Sequence, residues 1–216
     1  MIVSPFEKRA VDQRTFGREL GRAVRALRGA GVAYLLIGGV AGAVYGRPID
    51  TLDIDVFVRP DEAERAIEAL RDAGFETQRT APHWLYKGHR AGVVIDVIFC
   101  SSGDMYLDGE MLARSREGES HGVRVPLISP EDLVVLKALA HSEPTSRYWF
   151  DALAVLARSD IDWPYLIERA RHGPKRILSL LVFAQSNDLP VPADAVRAVR
   201  RLAFDGTGGL ARAAAG

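Results

Sequence analysis

Two acidic residues stand two positions apart in Asp53-Ile54-Asp55, a segment whose β-branched and apolar surroundings are typical of a strand. Because side chains two apart in a strand point to the same face, their carboxylates would lie roughly 6 to 7 Å apart. Like charges so placed repel each other unless a cation lies between them. Hard cations such as Mg²⁺ prefer oxygen ligands and keep waters that substrate phosphates displace. The pair therefore predicts a metal site, although an Asp-x-Asp pair alone is more often a solvated strand edge.

A third acid, Asp96, interrupts the apolar run from Val93 to Phe99, which is otherwise typical of a central strand. A buried carboxylate is costly unless it is paired, coordinated or neutralised. Beside the strand that carries Asp53, Asp96 would complete a cluster of three carboxylates able to hold two metal ions. It would then act as a general base or as the ligand that orients the nucleophile. The alternative is that Asp96 pairs with an arginine or caps a neighbouring element.

A glycine pair, Gly38-Gly39, lies between the apolar run 32–37, a predicted strand, and the small-residue stretch 40–45, a predicted short helix. Glycine at such a turn lets the backbone approach a triphosphate closely, and a helix N-terminus supplies amide donors for anions. Tight strand-to-helix turns also use glycine for purely local reasons. Upstream of the acidic pair, however, the turn predicts a phosphate site.

These motifs, in the order Ile37-Gly38-Gly39, Thr51 to Val56 and Val94 to Ile98, resemble the DNA polymerase β-type nucleotidyltransferase superfamily. The resemblance implies an α/β (α+β) core with a small mixed sheet, an NTP substrate and two Mg²⁺ ions, with Mn²⁺ as a substitute. The residues that it assigns to phosphate or nucleotide contact are Gly38, Gly39 and Thr51, and those that it assigns to metal binding and catalysis are Asp53, Asp55 and Asp96.

The C-terminal half adds to this resemblance. Glu131-Asp132-Leu133 leading to Lys137, followed by Arg147 to Asp151, is similar to AbiEii-like small bacterial nucleotidyltransferases. The resemblance implies that Lys137 neutralises phosphate charge during catalysis and that Asp151 is a supporting acid of the nucleotide pocket. The alternatives are that Lys137 extends to solvent and that Asp151 pairs with Arg147.

The chain departs from the superfamily pattern at two positions. Gly39 stands where many members carry a serine, as it often does in the small bacterial branch. Related sequences commonly have an arginine two residues before the threonine, where this chain has Ile49. Arg47 is the candidate substitute for that arginine.

The periodicity predicts a mixed α/β domain at residues 1–128 and a helical domain at residues 129–216, and the resemblance implies that the first is the nucleotidyltransferase core. Ser129-Pro130-Glu131 is a typical helix start, and the helical pattern then continues to about residue 204 with breaks near the prolines. In the core, we predict helices at about 7–29, 40–45 and from 60 to Gly74, strands at 32–37, 53–58, 83–87, 93–99 and 123–127, and a loop at 101–122.

Composition limits the function classes. Lys plus Arg and Asp plus Glu both number 28, which argues against binding nucleic acid or acidic membranes by bulk charge alone. The single cysteine, Cys100, cannot form an intramolecular disulfide, and no run approaches the roughly 18 apolar residues of a membrane helix. A cytoplasmic protein without a membrane partner is the expectation.

The expected activity is therefore transfer of an NMP from an NTP to an acceptor, which the sequence leaves open among tRNA, protein and small molecules. One version is a toxin-antitoxin-type enzyme with a neutralising partner protein. The rival from another class is a non-catalytic module that keeps the nucleotidyltransferase fold and acts by binding a partner. The intact set of three acids disfavours that rival.

Overall fold

The computed structural model describes residues 11–46, 51, 53–142 and 144–205. The chain divides into two compact units, Met1–Ser129 and Pro130–Gly216. The expectation of two separate domains, at 1–128 and 129–216, stays a prediction. Within the described ranges, no helix is both long enough and apolar enough to span a membrane.

The first unit is built on a mixed sheet, whose seven strands in the described residues follow the order β3-β4-β5-β2-β1-β7-β6. The predicted mixed α/β class is confirmed. The strands are β1 Tyr34–Leu36, β2 Asp53–Val58, β3 Glu76–Ala81, β4 Leu85–Arg90, β5 Val93–Ile98, β6 Arg116–Ser120 and β7 Val123–Leu127. The helices of this unit are α1 Gln13–Gly29, α2 Gly38–Tyr45, α3 Ala63–Asp72 and α4 Gly109–Ala113, with a 3₁₀ turn at Pro60–Glu62.

The two central strands β2 and β5 run parallel, and successive side chains along each strand point to opposite faces of the sheet. One face carries fully buried apolar side chains, among them Ile54 and Ile95. Helix α3 covers this face: Gly88 of β4 lies beside Ile95, and a Cβ added at Gly88 would lie 3.4 Å from Cδ1 of Leu70 on α3. The apolar face therefore anchors both strands in the core, and the acids of the same strands project from the opposite face.

Three expectations about the first unit are wrong, and one of its strands was not expected. Helix α1 begins at Gln13 and leaves out residues 11 and 12, because the Asp12 carboxylate accepts a hydrogen bond from Thr15 N–H and caps the helix. The part of the predicted helix at 7–10 lies outside the described residues. The segment 101–122 is not a loop throughout, since it contains α4, capped by Asp108, and strand β6. Strand β3 was not expected either, and strand β4 extends to Arg90, beyond the predicted end at Lys87.

The second unit is helical, as expected, and its helices end close to the predicted breaks. They are α5 Pro130–Ala140, α6 Arg147–Arg158, α7 Trp163–Arg169, α8 Pro174–Ser186 and α9 Ala193–Phe204, with a 3₁₀ turn at Ala170–His172. A buried polar network joins α5 to α7. In this network, Asp132 accepts a hydrogen bond from Tyr165 Oη at 2.7 Å and forms an ion pair with Arg169 at 2.7 Å.

Candidate active site

Three acids converge on the face of the sheet opposite α3. Asp53 and Asp55 lie two apart on β2, and Asp96 lies directly beside Asp55 in the parallel register of β5. Carboxylate oxygens of the three side chains lie within 4.8 Å of one another. Asp53 and Asp96 are buried, and Asp55 is partly exposed. The structure thus brings together the acids that the sequence analysis grouped, while their role as metal ligands stays a prediction.

The glycine turn lies against these acids. Ile37 N–H donates to the Asp55 carbonyl at 3.0 Å, which carries the β1–β2 pairing into the turn. Gly38 has a φ of +60°, and a Cβ there would lie 1.7 Å from Asp55 Oδ2. No other residue type fits without displacing the carboxylate, so Gly38 serves the acid cluster whether or not it also contacts phosphate.

Thr51 links the second glycine to the first acid. Its Oγ1 donates to Asp53, with the backbone oxygen at 2.9 Å and carboxylate Oδ1 at 3.1 Å, so one hydroxyl proton serves both acceptors. A Cβ at Gly39 would lie 2.3 Å from Thr51 Oγ1. Thr51 therefore orients Asp53, and its expected contact with nucleotide stays a prediction. Arg47 and Ile49, named in the sequence analysis, lie outside the described residues.

Lys87 is a residue of this site that the sequence analysis missed. It lies on β4 directly opposite Asp96 in the antiparallel register, and its Nζ is 2.5 Å from Asp96 Oδ1. The sequence does hold a signal for this pairing. Ala91-Gly92 lies between two predicted strands, and counting back from a two-residue turn at this place pairs Lys87 with Asp96. In the structure both turn residues lie in the left-handed region, as such a hairpin requires.

Lys137 and Asp151 form a buried ion pair within the helical unit. Lys137 Nζ lies 2.9 Å from Asp151 Oδ2, and their side chains are 7% and 5% exposed. The ring of Tyr148 lies 4.9 Å from the same ammonium. Lys137 therefore does not extend to solvent, and its anion in this structure is Asp151. Contact of either residue with nucleotide phosphates stays a prediction.

The donor set of the acid cluster favours a hard divalent cation. All of its ligand atoms are carboxylate oxygens, the donors that Mg²⁺ prefers, and histidine and cysteine are absent from it. Across the described ranges, no other group of His, Cys, Asp and Glu has metal-binding spacing. Lys87 places one positive charge beside Asp96, and a divalent cation bound among the three carboxylates would relieve their mutual repulsion.

Comparisons with known proteins support this architecture. Residues 5–183 match a protein family described as uncharacterised nucleotidyltransferase. No curated protein gives a significant match. Among solved structures, the antibiotic-resistance factor ANT(2'')-Ia is 13% identical with a TM-score of 0.53, and the alignment covers 82% of this chain and 94% of that one.

Two further solved structures have lower TM-scores. The lincomycin-bound lincosamide antibiotic adenylyltransferase LnuA is 17% identical with a TM-score of 0.47, covering 71% of this chain and 100% of that one. An antigenic nucleotidyltransferase-like protein from Paracoccidioides brasiliensis is 18% identical with a TM-score of 0.49, covering 87% and 92%. At such identities, structural similarity concerns the fold, and ANT(2'')-Ia shares the mixed α/β architecture.

Proposed function

The chain belongs to the uncharacterised nucleotidyltransferase family, and from this premise we propose that Asp53, Asp55 and Asp96 form the Mg²⁺ centre of its transferase activity. The observation that carries the proposal is the meeting of three carboxylates from two parallel strands within 4.8 Å. Mutual repulsion makes such a cluster unfavourable without a cation. Its oxygen donors and the close glycine turn fit Mg²⁺ carrying a triphosphate.

In the proposed reaction, the acceptor oxygen forms a bond to the α-phosphorus of an NTP. The bond from that phosphorus to the bridging oxygen breaks, and diphosphate leaves with the electron pair. Bound Mg²⁺ would supply charge neutralisation at the phosphates and the leaving diphosphate. Asp53, Asp55 and Asp96 would hold the metal, and Asp96 would also orient the acceptor hydroxyl, whose proton would pass to Asp96 or to water. Catalysis of this kind depends mainly on positioning and electrostatics.

The remaining predicted residues contact the nucleotide or support the residues that bind it. Gly38 and Gly39 open α2, whose first backbone amides are donors suited to phosphate oxygens. Thr51 holds Asp53 in the orientation that metal binding needs, as its shared hydrogen bond suggests. Lys137, with Asp151 beside it, is proposed to neutralise phosphate charge, for which the buried position of its ammonium is the supporting observation.

The acceptor is the open part of the function. ANT(2'')-Ia is an antibiotic-resistance factor, which makes a small molecule the acceptor class to test first. The AbiEii-like resemblance keeps tRNA and protein as further classes, together with a toxin-antitoxin-type role and a neutralising partner protein. Assignment to that branch and a cytoplasmic location stay predictions.

Radiolabelled nucleotides test the proposal. The purified protein is incubated with cell extract and each of the four NTPs, labelled at the α-phosphate or the γ-phosphate, with Mg²⁺ or with EDTA. We expect α-label, and no γ-label, to enter one acceptor fraction (RNA, protein or small molecules), and only with Mg²⁺. Mn²⁺ is expected to substitute for it.

Matched variants locate the activity in the acid cluster. Asp53→Asn and Asp55→Asn are expected to reduce transfer at least about 100-fold while leaving the fold intact. Asp72→Asn, which alters an exposed acid of the same unit, is expected to retain full transfer. If no label is transferred under any condition, and Asp53→Ala leaves the biological effect unchanged, the protein is instead the non-catalytic binding module.

A further inference from the structure

The side chain of Lys87 is largely buried, unlike that of a typical surface lysine. Its side chain is 15% exposed, and its ammonium contacts a carboxylate that is 6% exposed. Lysine normally extends its charged end to water, so a largely buried ammonium needs a nearby anion. The cross-strand register supplies Asp96 as that anion, with the two residues directly opposed.

The strand order decides on which side of Asp96 this charge lies. Strand β5 stands between β4 and β2, so Lys87 approaches Asp96 from one side and the two acids of β2 approach it from the other. Asp96 is thus shared between a permanent cation within the chain and the predicted metal site. A carboxylate has two oxygens, so an ion pair through Oδ1 is compatible with metal coordination through the second.

We propose that Lys87 is the built-in counter-charge of the metal centre, a positioning residue that holds Asp96 in place and limits how tightly the three acids bind a divalent cation. This inference rests on the proposed function, because it presupposes that the acids bind metal. The ammonium stabilises the metal-free protein by offsetting one of the three negative charges. The same ion pair competes with an incoming cation for the charge of the Asp96 carboxylate, so metal affinity is lower than three acids alone would produce.

A simple structural ion pair would behave differently. Loss of such a pair would lower stability by the same amount with and without metal, and it would leave metal affinity unchanged. A counter-charge that acts through Asp96 couples the stability of the metal-free protein to its affinity for metal. Its removal destabilises the metal-free protein and tightens metal binding, because the cation then takes over the role of the ammonium.

Mn²⁺ alone, without NTP, is the probe, and its binding is measured by calorimetry or by electron paramagnetic resonance. We expect Lys87→Met to bind Mn²⁺ about 3- to 10-fold more tightly than the unaltered protein. Its melting temperature should fall in EDTA, and Mn²⁺ should raise it by more than it raises that of the unaltered protein. Lys87→Arg should restore both quantities, since it restores the charge.

Three further variants isolate the route of the effect. In an Asp96→Asn background, Lys87→Met should change Mn²⁺ affinity less than about 2-fold, because the anion through which Lys87 acts is gone. Lys87→Gln keeps a hydrogen-bond donor without the charge and replaces Lys87→Met should that variant fail to fold. Arg79→Met removes a positive charge that pairs with the exposed acid Glu64, and it should leave Mn²⁺ affinity unchanged.

The outcomes separate the two proposals. Unchanged or weaker Mn²⁺ binding by Lys87→Met, or an effect that persists in the Asp96→Asn background, overturns the role of Lys87 and leaves the metal centre standing. If the unaltered protein binds Mn²⁺ no better than Asp53→Asn does, the metal centre itself is wrong, and the role of Lys87 is overturned with it.

Discussion

Gly38 and Asp55 share one space: a Cβ at position 38 would lie 1.7 Å from Asp55 Oδ2. The carboxylate fills the volume that any other residue type at position 38 would occupy. Gly38 opens helix α2 and Asp55 lies on strand β2, and Ile37 N–H holds the two segments together by donating to the Asp55 carbonyl at 3.0 Å. The glycine is therefore a condition for the geometry of the acid cluster.

Substitution of Gly38 by alanine is expected to abolish metal binding and NMP transfer. The added Cβ displaces the Asp55 carboxylate, and the φ of +60° adds backbone strain of roughly 1 to 2 kcal/mol. Transfer of α-label and Mn²⁺ binding are the measurements, and we expect transfer to fall at least about 100-fold.

Gly31→Ala is the matched control for this change. Gly31 has a φ of +65°, and a Cβ there would meet no atom within 4 Å, so the variant carries similar strain without touching an acid. It should lose stability and keep Mn²⁺ affinity. Equal transfer by the two alanine variants would refute the steric link between the turn and Asp55.

Replacement of Thr51 by valine is expected to weaken the centre without destroying it. The shape is nearly preserved, but the hydroxyl that donates to Asp53 at 2.9 and 3.1 Å is lost. We expect Mn²⁺ affinity to fall about 3- to 10-fold, as the loss of one such hydrogen bond would produce. Thr51→Ser retains the hydroxyl and should remain close to the unaltered protein. Similar Mn²⁺ affinities for the valine and serine variants would exclude an orienting role.

The buried pair Lys137–Asp151 should contribute strongly to the stability of its helical region. Lys137→Met leaves the Asp151 carboxylate buried beside an apolar chain, so the free energy of unfolding should fall by about 3 to 5 kcal/mol. The double variant with Asp151→Asn should recover much of this loss. Urea unfolding measures both quantities, and a rise of KM for NTP in Lys137→Met would support the predicted phosphate contact.

An exposed pair in the same unit is the control for that measurement. Asp194 and Arg197 form an ion pair, with side chains that are 89% and 61% exposed. Arg197→Met should change the free energy of unfolding by less than about 0.5 kcal/mol. A comparably small change for Lys137→Met would contradict the buried ion pair.

Tyr34 should make stability depend on pH in the alkaline range. Burial raises the pKa of the Tyr34 phenol above its usual value of 10.0, and the Arg28 guanidinium partly offsets this. The phenol is therefore neutral in the folded chain at pH values where it ionises in the unfolded chain. Its contribution is fully present below pH 10 and is lost as pH rises from there through the raised pKa.

Tyr34→Phe removes this titration. Urea unfolding of both proteins at pH 8, 10 and 11 should give a difference in stability that is constant below about pH 10 and shifts in favour of the variant above it. Other tyrosines titrate in both proteins and cancel in the comparison. Parallel stability curves across the whole range would rule out a raised pKa for Tyr34.

The two strands that sequence analysis missed are the two edges of the sheet. Strand β3 and strand β6 stand at opposite ends of the strand order, and most of their residues are at least partly exposed. An edge strand whose two faces are both exposed to solvent lacks the alternation of apolar and polar residues by which strands are recognised in a sequence. The buried strands β2 and β5 carried that signal, and their predicted positions agree with the structure.

By itself, the sequence determined the central strands, the glycine turn and the grouping of Asp53, Asp55 and Asp96 into one cluster. It could do so because burial and charge leave local patterns along the chain. Only the tertiary structure decided what these residues touch. Contacts of Asp55 with Gly38 and of Lys137 with Asp151 join separate elements. Such contacts depend on strand register and helix packing, which are set by the whole core and leave little trace in any single segment.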